Sequence, residues 1–521
     1  MRTSLKPEYF SISDTSCLPE FFKGVDIPFS LQAEPLKKEL LHCYDTFDWK
    51  AWNKKNAIVL CRQRLNLVDL KNGNERGSSP LRKAPQSFFP EDIAEEKTVS
   101  MLKTLSRLRA FIRLGSVKTE IATWRALDEN QKTVASIELL SILHPKPSNA
   151  QKPLAYVRLN PVRGYPKELE TLAECLKSNP AYSGKTTYQD FYTAVLDAVG
   201  SVPGSYSSKP SVKLKPGNTI QDSARELLLS TLEVIHANES WIPRNIDTEF
   251  LHDYRVAIRR TRSILAQLKG IFPPNELSRY KQAFRELGKR TNNLRDQDVY
   301  LLQAERFRNL LPAAMRDSLD SFFTDLRNQH KKELRTFSKY LGSENYRQFL
   351  QEWESFLKSN MSPDPDTTPD ALRKTSDVAV SSIKKAWRKV IRHGRDISRV
   401  ATDTELHALR IDCKKLRYLL EFYASLFPAK TLQMVIRQLK TLQENLGVFV
   451  DLSVQQNYLY SYLSNLECTA DNIPFASSLG GLVTALYNER ETARMSFHDA
   501  FDTFDRQETE ELFNELFNKH R

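Results

Sequence analysis

One feature constrains this chain more than any other: residues 252–299 match residues 407–454 without a gap, at a fixed offset of 155 residues. Ten of the 48 aligned positions are identical, among them His252/His407, Arg255/Arg410, Arg262/Arg417, Phe272/Phe427, Pro273/Pro428 and Asp296/Asp451. Ordinary residue frequencies give about three by chance. Conservative pairs such as Arg259/Lys414, Arg260/Lys415 and Arg285/Lys440 add to the match. A repeat in segments whose apolar residues recur every three to four positions reads as two related helical bundles.

On a helical wheel at 100° per residue, with His252 at zero, Arg255, Arg259 and Arg262 fall at about 300°, 340° and 280°. The four side chains share a stripe about 80° wide and roughly 15 Å long. His407, Arg410, Lys414 and Arg417 repeat it. Ile258, Ile264, Leu265 and Leu268, like Cys413, Leu416, Leu419 and Leu420, fall on the opposite side and are the expected core face. Arg260 and Lys415 fall at about 80°, off the stripe, and are expected to be weaker contacts. Three cations and a histidine in a row repel one another, and no acid interrupts them, so a polyanion is the natural complement. Arginine forks two donors onto phosphate oxygens, lysine adds a point charge, and a histidine beside phosphate gains a proton. A solvated helix face is the competing reading, and the repetition weighs against it.

The remaining shared features are less specific. Phe272-Pro273 and Phe427-Pro428 are expected to end the stripe-bearing helices. Asp296, Asp298 and Asp451 are read as capping groups or partners of nearby Arg in preference to metal ligands. Lys384, Lys385, Arg388, Lys389, Arg392, Arg395 and Arg399 form a further basic run, for which a solvated face and a binding face both stay open. Only Arg399 has a basic counterpart 155 residues earlier, Arg244.

Charge and texture divide the chain. The formal charge is +12, from 76 Lys and Arg against 64 Asp and Glu. Residues 219–440 hold 39 basic and 28 acidic side chains, whereas 441–521 hold 5 and 13, so a basic body precedes acidic terminal helices. Before that lies a stretch rich in Ser, Pro, Lys and Gly, 201–218, read as a linker. Residues 1–200 show short alternating runs, 57–70, 118–127, 133–142 and 154–159, read as strands, with a hairpin tip at 128–131 and a polar loop at 73–90. Helical spacing recurs at 166–177 and 187–199. The expected domain is α+β on an antiparallel sheet. After it, 220–236, 249–269, 275–290 and 312–341 read as long helices, and the prolines of 362–369 split this half in two.

The six cysteines, Cys17, Cys43, Cys61, Cys175, Cys413 and Cys468, show no C-x-x-C pair and no zinc spacing, so reduced, inert thiols are expected. No run reaches the length of a membrane span, and the first ten residues lack a signal-like apolar core, which points to the cytoplasm. No helix-turn-helix, zinc or aromatic RNA-binding signature accompanies the positive charge, so nucleic acid is a disfavoured partner.

HDYRVAIRRTR at 252–262 and HALRIDCKKLR at 407–417 resemble the signature helices of the CHAD family, the conserved histidine α-helical domain. NNLRDQDV at 292–299 and LGVFVDLSV at 446–454 resemble its second motif, with Asn292 for Gly447 and Val450 for Arg295. The resemblance covers about 219–515. It implies two four-helix-bundle repeats, about 219–361 and 370–515, around a central basic pore that binds inorganic polyphosphate. Association with polyphosphate granules is implied too, as in some members, with no cofactor, no metal and no established catalysis. The polyphosphate-binding residues so expected are His252, Arg255, Arg259, Arg262, His407, Arg410, Lys414 and Arg417, with Arg260, Lys415, Arg285 and Lys440 in support. YDTFDW at 44–49, Arg62 and Arg64, WRALDENQKTVASIEL at 124–139 and VRLNPVRGY at 157–165 resemble a degenerate CYTH domain, the triphosphate tunnel fold, over about 1–200. Active tunnel enzymes carry an ExExK strand near the start. Here MRTSLKPEYFSI offers Glu8 alone, and Glu120 and Glu138 are isolated, so no catalysis is expected. The alternative is a metal-dependent triphosphatase or polyphosphatase in this domain.

Overall fold

The computed structural model describes residues 6–12, 22, 25–143, 155–209, 212–359, 362–398, 401–467 and 469–518. They fall into two compact units, Met1–Ser207 and Ser208–Arg521. Among the described residues no helix is long and apolar enough to cross a membrane.

The first unit is an antiparallel sheet of β1 (Glu8–Ile12), β2 (Ser30–Ala33), β3 (Lys37–Asp45), β4 (Asn56–Cys61), β5 (Arg64–Asp69), β6 (Glu75–Pro80), β7 (Ser87–Phe88), β8 (Phe111–Leu127), β9 (Thr133–Leu143), β10 (Ala155–Pro161) and β11 (Tyr182–Thr186). Its order is β11-β1-β10-β9-β8-β3-β4-β5-β6, and β2 and β7 also pair with β8. The helices are α1 (Lys50–Asn53), α2 (Glu96–Leu105), α3 (Pro166–Lys177) and α4 (Tyr188–Ala198). Neighbouring strand residues point to opposite faces, so Tyr9 and Leu140 pack under α4 while Phe10 and Leu139 pack under α3. Tyr188, Phe191, Tyr192 and Val195 of α4 cover Cys43, Val59, Val117 and Tyr156 on the first face. Leu102 and Leu105 of α2 close a third cluster with Ile58, Leu67 and Phe111.

Two strand readings need correction. The run 57–70 is not one strand but the β4–β5 hairpin, because Arg62 and Gln63 both take left-handed φ, 50° and 59°. Such turns usually advertise themselves with Gly, Asn or Asp, and neither residue does so. The polar loop expected at 73–90 contains β6 and β7. As the last strand on its side of the sheet path, β6 (ERGSSP) lacks apolar alternation, and its Gly77 lies close under Thr98 of α2. The hairpin tip at 128–131 does form: Asp128 Oδ1 accepts the Asn130 and Lys132 backbone N–H groups at 2.9 and 2.8 Å. In YDTFDW, Asp45 is buried and accepts three backbone N–H groups, from Thr46, Ala51 and Trp52, which fixes α1.

The second unit contains α5 (Ile220–Glu239), α6 (Glu249–Gln267), α7 (Pro274–Arg290), α8 (Asn292–Leu302), α9 (Ala304–Asn309), α10 (Asp320–Leu341) and α11 (Glu344–Lys358). It continues with α12 (Thr375–Asp396), α13 (Asp403–Phe422), α14 (Ala429–Ser464), α15 (Ile473–Met495), α16 (Phe497–Phe504) and α17 (Gln507–Asn518). Helices α5, α6 and α7 start at 220, 249 and 274, and α12, α13 and α14 at 375, 403 and 429, so helix starts keep the sequence offset within one residue. Thr219 and Lys374, themselves 155 residues apart, form an isolated antiparallel bridge. An antiparallel pair has a local two-fold axis, so the two halves meet here at equivalent positions. Phe322, Phe323 and Leu326 of α10 pack on Leu459 of α14 and on Leu479, Leu482 and Leu486 of α15.

The prolines of the repeat open helices rather than end them. Helix α6 has already stopped at Gln267, followed by left-handed Gly270, and Pro273 and Pro428 stand immediately before α7 and α14. Cys43, Cys61, Cys175 and Cys413 are free thiols, with Cys43 and Cys413 buried and pushed up by that burial. Cys17, Cys468 and Arg399 lie outside the described residues.

Helix α12 approaches α16 through Gly394, where a β-carbon would come within 1.8 Å of the buried Phe501 ring. Gly394→Ala should therefore destabilise this packing by about 1–3 kcal/mol, read as a lower urea midpoint. An unchanged midpoint would contradict the close approach.

Candidate functional site

Helices α6 and α13 bury the faces expected of them. Ile258, Ile264, Leu265 and Leu268 are buried in the first, and Cys413, Leu416, Leu419 and Leu420 in the second. The N-terminus of α13 is fixed by a capping box in which Thr402 Oγ1 accepts the Glu405 N–H and the Glu405 carboxylate accepts that of Thr402. With the apolar faces committed to the core, the polar faces meet across a cleft of about 440 Å³. His252, Arg259 and Arg260 line it from α6, and Arg410, Lys414 and Arg417 from α13. Six of the twelve expected residues thus converge on one space, drawn equally from both halves of the repeat.

The cleft holds its cations with few acids. Glu421 is 3.3 Å from Arg260 and 2.7 Å from Arg417, so one carboxylate ties the two helices together. Arg260 also donates to the Ser208 carbonyl. Arg417 donates to Gln443 Oε1 at 3.3 Å, and Gln443 donates to the Cys413 carbonyl at 2.7 Å. At the rim Arg410 pairs with Asp451 at 2.9 Å. Burial, then the positive charges of Arg410 and Arg259, pushes Lys414 down to about 8, against a pull from Asp451. That Arg259 acts on Lys414 places the two stripes within electrostatic reach of each other.

The other expected residues are placed differently. Arg255 donates to the Gly288 carbonyl at 3.2 Å, to Thr291 Oγ1 and to Asn292 Oδ1 at 3.0 Å, and so caps the end of α7. This is where the first copy breaks into α7 and α8, whereas α14 runs 36 residues without interruption. Arg262 is pushed down by burial and by the neighbouring Arg285 and Arg259. His407 is exposed on α13. Lys440 is exposed and pairs with Glu444 at 3.2 Å. Lys415 points away from the cleft, 3.7 Å from Asp412. Arg260, ranked off the stripe by its wheel angle, is the correction: its long side chain is buried and lines the cleft through Glu421. Asp296 stands among Arg255 and Arg295, the first-copy counterpart of the Asp451 pairing. In the basic run, Arg395 forms a two-bond pair with Asp505 at 2.6 and 2.8 Å, so the acidic terminal helices partly neutralise it.

Glu421, Gln443 and Tyr418 also line the cleft and were not anticipated. Glu421 had one readable signal, its place four residues after Arg417 on the same helix. Gln443 had none, since its counterpart in the first copy is Gly288.

An all-helical unit organised around two offset-related basic helices is therefore the class that the fold defines. Residues 226–460 match the CHAD domain family, and the helical unit carries a CHAD domain. Among solved structures, the chain is similar to the CHAD domain from the plant Ricinus communis, with 20% identity and a TM-score of 0.43 over 60% of this chain and 96% of that one. It is also similar to PptA from Streptomyces chartreusis, with 16% identity and a TM-score of 0.42 over 55% of this chain and 99% of that one. No curated protein matches the chain.

With Lys414 at about 8, affinity for a phosphate polyanion should fall as pH rises from 7 to 9. An anion favours the protonated amine, so the loss is about tenfold across that range for one linked proton. Lys414→Arg should flatten the profile. A flat profile in the parent chain would contradict the placement of Lys414.

Proposed function

We propose that the helical unit binds inorganic polyphosphate through the basic helix faces of α6 and α13, which line a central pore. The observation that carries this reading is the convergence of Arg259, Arg260, Arg410, Lys414 and Arg417 on one cleft from both halves of the repeat. Bringing these cations together costs energy in the empty state, and a polyanion recovers it. The CHAD match supports the same ligand, because binding of polyphosphate is what the resemblance of the signature helices implies. Cytoplasmic polyphosphate granules are the proposed location. The arginines fork onto phosphate oxygens.

The catalytic alternative, a metal-dependent triphosphatase or polyphosphatase in the first unit, has less support. Glu120 is engaged by Lys38 at 2.9 Å and Glu138 by Arg158 at 3.5 Å. Among the described residues no group of three or more His, Cys, Asp or Glu is placed to hold a metal ion. The face of the sheet carrying Tyr9, Val117 and Tyr156 is filled by α4. Manganese-dependent phosphate release from tripolyphosphate by the full chain would favour this reading over pure binding.

Calorimetric titration with long-chain polyphosphate at two salt concentrations tests the binding reading. Affinity should be high and fall steeply with salt, as displacement of counterions from a dense polyanion requires. Replacing Arg259, Arg410 and Arg417 together with Ala should weaken it on the order of a hundredfold or more, given charge-assisted bonds of about 1.5–3 kcal/mol each. Equal binding by parent and triple variant would sink the reading.

A further inference from the structure

A second cationic hollow, of about 410 Å³, lies on the opposite side of α13 from the cleft, between α12, α13 and the end of α6. Its volume is in the range of small-ligand sites, roughly 300–1,000 Å³. Lys269, Arg373, Lys385, Lys389 and Lys415 line it, against two acids, Asp370 and Asp412. Asp412 is only 3% exposed. It lies 2.8 Å from Lys389 Nζ, 2.8 Å from His393 Nδ1 and 3.7 Å from Lys415 Nζ. One buried carboxylate thus sets the position of two lysines. Arg373 is held by Asp370 at 3.2 Å. Lys269 and Lys385 have no hydrogen bond or ion pair with any described residue, so five cations face two acids with two amines uncommitted.

The repeat separates this hollow from the cleft. The residues 155 positions before Lys385, Lys389 and Asp412 are Ser230, Val234 and Ala257. The first half therefore has no copy of it, whereas the basic stripe is present in both. A hollow with no counterpart in the repeat, walled by a buried charge, asks for its own ligand.

We propose that this hollow binds a compact anion bearing two phosphate groups, with Lys269 and Lys385 as its direct contacts and Asp412 positioning Lys389 and Lys415. Two phosphates bring roughly three to four negative charges, which the surplus of cations here matches. Lys269 follows α6 of the first half, and Lys385, Lys389 and Lys415 belong to α12 and α13 of the second, so the occupant ties the halves together. Binding to the folded state alone then raises the melting temperature.

Pyrophosphate is the probe, titrated into the full chain, its Lys269→Ala/Lys385→Ala variant and its Arg410→Ala/Arg417→Ala variant. The first variant should bind at least tenfold more weakly and lose the thermal shift, while the second stays within about twofold of the parent. The Lys269→Arg/Lys385→Arg variant should recover binding. No binding by the parent, full binding by the Lys269→Ala/Lys385→Ala variant, or loss of binding in the cleft variant would overturn the proposal. Long-chain polyphosphate titrated into the same two variants reports on the cleft separately, so failure of one site is not mistaken for failure of the other.

Discussion

Everything in the helical unit depends on holding like charges together across α6 and α13. Guanidinium and ammonium groups at such distances repel, and the fold contains that repulsion in two ways. The apolar sides of both helices are sunk into the core, so neither can rotate its cations away. A few carboxylates stand at fixed points: Glu421 bridges Arg260 and Arg417, and Asp451 holds Arg410. These acids are too few to neutralise the cleft. They fix its geometry and leave it positive, and Lys414 is depressed first by burial and then by Arg410 and Arg259.

The two offset-related halves share a helix plan but differ in what surrounds their basic helices. The bridge between Thr219 and Lys374 joins equivalent positions, and the matched helix starts show the halves sharing one plan. Yet Arg255 caps α7 where its counterpart Arg410 pairs with Asp451 at the cleft. Gly288 lies in α7 just before the break after Arg290, whereas Gln443 sits within an unbroken α14 and accepts a hydrogen bond from Arg417. The same stripe of residues therefore brings different cations to the cleft from each side.

Much of this was legible in the sequence, because periodicity and repetition are local signals. The core faces of α6 and α13 and a basic stripe on each followed from the wheel and the offset, whereas a single space shared by the two stripes was implied by the family resemblance. A wheel angle carries no information on reach, however, so Arg260 lines the cleft despite its angle, held there by Glu421, 161 residues away. Lys415, off the stripe by the same wheel, does point away from the cleft, toward the buried Asp412. In the first unit the β4–β5 turn went unread because Arg62 and Gln63 occupy left-handed positions without the usual residues. Strand β3, KKELLHCYD, was missed because its exposed start and buried end do not alternate cleanly.

The central claim is that residues from both halves act on one ligand in one cleft. The most direct test is a double-mutant cycle between Arg259→Ala, in the first half, and Arg417→Ala, in the second, read as affinity for long-chain polyphosphate at fixed salt. If both side chains grip the same stretch of ligand, the double variant should depart from the sum of the single losses by more than about 0.5 kcal/mol. Strict additivity would mean that the two stripes bind independently, and the shared cleft would not be the binding site.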